Sequence, residues 1–311
     1  MGMRVNGAIP RRVAKKRMNK KLRLVLVVAI LCFVGGWFLY SKYASRQPAH
    51  TPVVSNWPTA VLEAPATPSS TSPPGHPSVT PPREVPPAPP VFVLRPGETL
   101  LYDANITKLN STVARLKIVA VEKRNLGSKP SWHLQAFAHT ENPYRMVFEL
   151  DDQFDSYSDA GSMVSRQYEM HLSERGQKVE SVQRMLPSVN DSPPPGVSAA
   201  RVLPGTRDPL GMLNYLRAID WSTVNEVRSP VYDGHKLYDV RAELAAKSVP
   251  VIVPAGSFKP MKIELRVLDN GLEMKDAHFL LYLTNDERRL PVLLEAVLPF
   301  ATARVELAKS E

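Results

Sequence analysis

Beyond Val91 the chain alternates apolar and polar residues with a period of two, the pattern of strands with one buried face. Arg115-Leu116-Lys117-Ile118 alternates before turning fully apolar at Val119-Ala120-Val121, and Trp132, Leu134, Ala136 and Ala138 fall on one face of the run 132–139. Gln167-Tyr168-Glu169-Met170-His171-Leu172 alternates cleanly, and Ser173-Glu174-Arg175-Gly176 turns it into a second run at 178–184. Asp233-Gly234 predicts a two-residue hairpin turn between Val231-Tyr232 and a strand at 237–244. The clearest alternation is Met261-Lys262-Ile263-Glu264-Leu265-Arg266-Val267, followed by Asn270-Gly271 as a further turn. Apolar runs at 279–283, 292–298 and 303–307 close the chain. About ten short strands at hairpin spacing predict an all-β-dominated fold, a single curved antiparallel sheet or half-barrel.

One segment breaks the rhythm. Asp208 at an N-cap position and Pro209 at the first helical position open 208–219, where Leu210, Leu213 and Leu216 recur at helical spacing, as do Met212, Tyr215 and Ile219. Apolar residues on both flanks predict a mostly buried α-helix packed on or into the concave face of the sheet. A Pro-, Ser- and Gly-rich stretch at 187–207 precedes it and reads as a mobile surface insertion.

The region before Val91 has a different pattern. Residues 24–40 carry no charge and would reach about 26 Å as a helix, close to the ~30 Å hydrocarbon core. Arg23 and Lys42 flank the span, and Trp37, Tyr40 and Tyr43 gather at its far end, where aromatic rings favour the interface. Nine Lys and Arg residues and no acid precede it, so the positive-inside bias predicts a cytoplasmic N-terminus. The exit, Tyr40-Ser41-Lys42-Tyr43-Ala44-Ser45, lacks the small residues of a cleavage site. Leu31 before Cys32 does not fit a lipoprotein signal. Between positions 48 and 90 lie 14 prolines, a composition that forms neither helix nor ladder and favours extended polyproline II. The predicted organisation is a basic cytoplasmic segment (1–23), a transmembrane helix (24–40), a Pro-rich disordered tether (41–90) and a periplasmic β-rich domain (91–311). The lipid bilayer is the expected partner of 24–40, and a single-pass place in a bacterial inner membrane is the expected localisation.

Charge and cysteine count then narrow the chemistry. The formal charge of +9 is spent on the N-terminus, since the rest of the chain carries thirty basic and thirty acidic residues. No nucleic-acid partner is expected. The lone cysteine, Cys32, excludes a disulfide scaffold and a Cys-type zinc site.

Four segments occur in a telling order: Gly97-Glu98-Thr99-Leu100-Leu101-Tyr102, Asp155-Ser156-Tyr157-Ser158-Asp159, Asp208-Pro209-Leu210-Gly211-Met212-Leu213-Asn214-Tyr215-Leu216-Arg217 and Asn285-Asp286-Glu287-Arg288-Arg289-Leu290-Pro291-Val292. Together they resemble the bacterial exported family called domain of unknown function 3108, over roughly 95–308. The resemblance implies a curved antiparallel sheet holding a helix and facing the periplasm, with no assigned chemistry. Gly211 departs from it, because the family tends to have serine or a similar residue there, and the long tether differs from members that begin soon after a signal peptide.

Enzyme signatures such as G-x-S-x-G, H-E-x-x-H and phosphate-binding glycine loops are missing from the sequence. His133 and His139 share strand parity but stand about 20 Å apart, too far for one metal. Asp151, Asp152, Asp155 and Asp159 cluster around Phe154 and Tyr157, as a solvated turn or, less simply, a calcium loop. No catalytic residue, metal or cofactor is expected. Asp208 and Pro209 read as a helix cap, and Arg217 as a partner for the last helix carbonyls or a sheet carboxylate. Asp286, Arg288 and Arg289 read as a hairpin turn or as an Arg–carboxylate lock. Leu213, Tyr215 and Leu216 are the helix positions that could meet a ligand. The expected role is non-catalytic binding of a lipid, glycan or peptide in the envelope. The alternatives are a structural protein that pairs a partner at an edge strand, and a hydrolase of envelope polymers using Asp151, Asp155 or Glu149.

Overall fold

The computed structural model describes residues 92–107, 109, 111–188, 190–274, 278–298 and 301–311. The basic segment, the transmembrane helix and the Pro-rich tether expected at 1–90 lie outside the described residues.

Strands β1 (Thr99–Ile106), β2 (Thr112–Leu126), β3 (Lys129–Thr140), β4 (Asp151–Asp159), β5 (Ser165–Glu174), β6 (Gln177–Leu186) and β7 (Ser198–Arg201) precede α1 (Pro209–Ala218). After it come β8 (Glu226–Tyr232), β9 (Leu237–Ala246), β10 (Val251–Val253), β11 (Gly256–Phe258), β12 (Met261–Asp269) and β13 (Leu272–Glu273). The last three are β14 (His278–Leu283), β15 (Pro291–Leu298) and β16 (Ala301–Ser310). Fourteen strands form one sheet in the order β7-β6-β5-β4-β3-β2-β1-β16-β15-β14-β12-β9-β8, with β13 added to β12, while β10 and β11 pair by themselves. The protein is therefore an all-β fold built on a single sheet with one described α-helix.

Alternation fixes which face is buried. In β1, Leu100, Tyr102, Ala104 and Ile106 point inward; in β3 the even positions from Trp132 to Ala138 do so, and in β16 Ala303, Val305 and Leu307. Two hairpins follow turn chemistry directly: Arg175-Gly176 and Asn270-Gly271 take positive φ at both positions (51° and 78°, 49° and 80°). At Asp233-Gly234 the turn runs longer than its sequence signal. Only Gly234 of that pair has positive φ (101°), and Asp233 Oδ1 accepts from the amides of His235 and Lys236.

The segment 187–207 is not a plain surface insertion. It contains β7, which pairs parallel with β6, the only parallel pairing among the described strands. It ends in a stitch that draws the sheet round: Ser165 donates its amide to Thr206 O (3.1 Å), Arg207 to Pro230 O (3.0 Å), and Tyr232 to Arg207 O (2.8 Å). Gln183 adds a side-chain bond to Gly234 O (3.0 Å). Thr206-Arg207 thus lies between β5 and β8 and bends the sheet into a near-barrel, with α1 against β3, β4 and β8.

Candidate functional site

The four segments that carry the family resemblance converge on the two ends of α1. At its start, Asp208 is fully buried and caps the helix: Oδ1 accepts from the Gly211 amide (2.8 Å) and Oδ2 from the Ser156 hydroxyl (2.6 Å). The Asp208 amide donates to Ser165 Oγ (2.7 Å). Ser156 and Ser158 belong to the inward face of β4, which is polar here because it receives a helix end rather than apolar core. Burial pushes the Asp208 carboxyl above its usual range, while bonds from Ser156, Ser165 and the Gly211 amide pull the other way. Gly211 follows from the same closeness, since a Cβ there would stand 2.7 Å from Ser165 Oγ, 2.9 Å from Ser158 Oγ and 3.0 Å from Met163 O. Beside the cap, the Arg207 guanidinium bonds Ser229 Oγ, Ser162 O and Gly205 O, and lies 3.6 Å over the Tyr215 ring.

At the other end Arg217, 2% exposed, makes a two-point ion pair with Glu98 (2.8 and 2.9 Å). Its Nε donates to Arg289 O (3.1 Å), Nη2 to Arg288 O (2.9 Å) and Nη1 to Asn214 Oδ1 (3.0 Å), and Phe92 stacks 4.6 Å away. The turn aims those carbonyls. Asp286 Oδ1 accepts from the amides of Arg288 and Arg289, and Arg289 takes φ 45°. The carboxylate lock expected of Arg288 or Arg289 is therefore made by Arg217. The Arg288 side chain reaches Ser310, and that of Arg289 reaches Asn285 and Met261. A cleft of about 380 Å³ opens beside the lock, lined by Arg95, Glu98, Arg288 and Glu311 among others.

The helix positions expected to meet a ligand do not face open space. Leu213 and Leu216 are 6% and 1% exposed within the main core, and Tyr215 is half-buried beneath Arg207. The opposite end of the sheet differs. There Phe279, Ala296 and Ala303 form a small buried cluster, joined to the main core through Leu265 and Val267, which remain half-buried. Register places Leu265 opposite Phe279, and Phe279 opposite Ala296, on the inward face. Exposed Leu109 and Met274, in loops, and Leu272, in β13, lie at this end.

The acids considered for hydrolysis are engaged elsewhere. Arg145 holds both Asp151 and Glu149, and the Asp151 carboxyl is drawn below its usual range by that guanidinium. Asp155 lies on the outward face of β4. Burial opposes its ionisation, yet hydrogen bonds from His133, Gln135 and Gln153, each 2.7 Å, hold its carboxyl below the usual range. His139 bonds Glu141 instead. The sequence set Asp152 among clustered acids and did not bring it together with Glu174: burial raises Asp152 to about 6 against the Ser173 amide bond, and burial with the Asp152 charge raises Glu174 to about 7. Among the described residues no group of three His, Cys, Asp or Glu side chains could hold a metal ion.

Several solved structures are similar to this chain. A β-barrel-like protein of domain of unknown function DUF1849 from Brucella abortus is 11% identical, with coverage of 70% of this chain and 97% of its own and a TM-score of 0.46. A candidate lipoprotein from Parabacteroides distasonis is 14% identical, covering 71% and 97% with a TM-score of 0.33. A candidate exported protein with a YmcC-like fold from Bacteroides fragilis is 12% identical, covering 72% and 100% with a TM-score of 0.34. No curated protein matches the chain. The model of the family described as protein of unknown function (DUF3108) matches residues 101–308, a span that takes in most of β1, the serine-bearing β4, all of α1 and the turn that receives Arg217, and the chain belongs to that family.

Proposed function

We propose that this protein is a membrane-tethered, non-catalytic module of the bacterial envelope that takes the acyl chain of a lipid at the end of its sheet opposite α1. One observation carries the reading: Leu265 and Val267 point inward between two buried apolar clusters and yet stay only partly buried. An inward apolar side chain left in contact with water marks a recess that its own fold does not fill. Exposed Leu109, Leu272 and Met274 extend the apolar surface to the rim. A wall of aliphatic side chains, a phenylalanine and two alanines suits a hydrocarbon tail better than a glycan, which needs hydroxyl partners. The sequence supports the setting, with an uncharged span at 24–40 behind a basic segment and a proline-rich tether before the domain.

Edge pairing with a protein partner has less support. β7 is four residues long, and β8 carries Pro230 and the Arg207 stitch along its free side.

The test is native mass spectrometry of the full chain extracted from its membranes in mild detergent. Wild-type protein retains a lipid, whereas Val267→Glu and Leu265→Arg variants with unchanged circular dichroism lose it. A lipid-free wild type, or equal retention in the folded variants, would refute the reading.

A further inference from the structure

Away from that recess, the outward face of β5 and β6 holds two guanidinium groups with incomplete partners. The register of β4 and β5 slips at Tyr157/Ser158: Tyr157 lies opposite Gln167 and Ser158 opposite Ser165, so Arg166 is the extra residue of a bulge. Its Nη2 reaches Asp159 on the outward side of β4, while its Nε is buried with no hydrogen-bond partner. Across the strand, Arg184 faces Gln167 and so shares that outward side. Arg184 is half-buried, and its Nε is buried with no hydrogen-bond partner.

The acids nearby are committed. Asp159 Oδ1 accepts from Ser162 and the Gly161 amide, its Oδ2 takes Arg166, and Glu169 takes the Gln167 amide and faces His171. Burial and the neighbouring Arg166 charge hold the Arg184 guanidinium below its usual range, and the Glu169 carboxylate offsets them only in part. Desolvating like charges side by side is unfavourable unless an anion joins them, and guanidinium forks match the oxygens of phosphate in geometry. Register in the parallel β6–β7 pair sets Arg201 along the same side, with one guanidinium nitrogen on Ser188 O.

We propose that Arg166 and Arg184 form a binding site for a phosphate-type oxyanion on the outward face of β5 and β6, with Arg201 at its margin. The site is independent of the acyl recess, and its oxyanion could arrive as free phosphate or as a phospholipid headgroup.

The full chain is placed in phosphatidylcholine nanodiscs and its thermal midpoint followed under two changes: addition of inorganic phosphate at constant ionic strength, and replacement of part of the phosphatidylcholine by phosphatidylglycerol. A rise with phosphate alone identifies a free anion, and a rise with phosphatidylglycerol alone identifies a headgroup. Either supports the site if Arg184→Gln weakens the apparent affinity by about tenfold while Arg184→Lys loses less. Arg166→Gln, which leaves Arg184 in place, gives a second reading if Arg184→Gln proves poorly folded. No rise under either change, or the same rise in folded Arg184→Gln and Arg166→Gln proteins, overturns the proposal.

Discussion

Arg217 on the last turn of α1 and Glu98 just before β1 meet in a two-point ion pair, although 119 residues separate them in sequence. Both side chains are almost fully withdrawn from water, at 2% and 8% exposure. Removing one partner strands the other, which for a buried pair costs about 3–5 kcal/mol. Arg217→Met and Glu98→Gln should therefore each lower the urea midpoint strongly. The double variant should lose less than the sum, because neither charge is then left alone. Additive losses would show that the two groups act separately.

Gly211 tests the other end of the helix. Alanine is normally the better helix former by about 1 kcal/mol. Here the added methyl meets two serine hydroxyls and the Met163 carbonyl at 3.0 Å or less. The carbonyl belongs to the backbone and yields little, and overpacking of this kind costs about 1–3 kcal/mol. Gly211→Ala should be net destabilising in chemical denaturation, and Gly211→Ser more so. A stabilised alanine variant would mean that β4 and α1 are less closely apposed.

Asp208 separates cap from charge. Asparagine caps a helix as well as aspartate does, whereas alanine costs about 0.5–2 kcal/mol. Since burial raises the Asp208 carboxyl, its charged form is the costly one. Asp208→Asn should match or exceed wild-type stability at neutral pH, while Asp208→Ala falls below both. Equal losses in the two variants would make the negative charge itself the stabilising feature.

The sheet was legible because its code is local. Alternation in 261–267 and the Asn270-Gly271 turn need only neighbouring residues, and both recur as β12 and its hairpin. Asp208-Pro209 and the leucine spacing mark α1 for the same reason. What closes the sheet was hidden, because Thr206-Arg207 bridges β5 and β8 through backbone groups that every residue possesses. The number of strands was also undercounted, since β7 sits in a stretch whose prolines and glycine read as loop.

The candidate site was legible in its parts and illegible in its pairings. Arg288 and Arg289 drew attention by side-chain type, but they serve Arg217 through their carbonyls, which leave no trace in residue identity. Glu98 lies in the segment 97–102, where nothing in the residue pattern marks it as a partner of Arg217. The partly buried Leu265 and Val267 look like any inward strand residues, because alternation reports direction and says nothing about what lies opposite. Asp152 shows the same limit, as its inward place follows from parity while its titration depends on the company it keeps.

That titration gives a pH profile with a definite sign. Burial raises Asp152 to about 6 from an ordinary 3.8, and burial with the Asp152 charge raises Glu174 to about 7 from 4.5. Between the unfolded and folded values the native state holds more protons, so stability is fully present near pH 4 and is lost as pH rises through about 6 to 7. Asp159 works in the opposite direction: burial opposes its charge, but bonds from Ser162, Gly161 and Arg166 lower it to about 2, so its contribution is lost as pH falls through that value. The urea midpoint should therefore be higher at about pH 5 than at about pH 8. Asp152→Asn retains an oxygen for the Ser173 amide and removes a penalty of up to about 3 kcal/mol at the alkaline end. Together with Glu174→Gln it should make the profile shallower above pH 5, leaving the share of Asp208, while the acid limb set by Asp151, Asp155 and Asp159 stays in place. A wild-type midpoint no lower at pH 8 than at pH 5, or a gain from Asp152→Asn that is equal at both, would show that the two carboxyls titrate normally in the folded sheet.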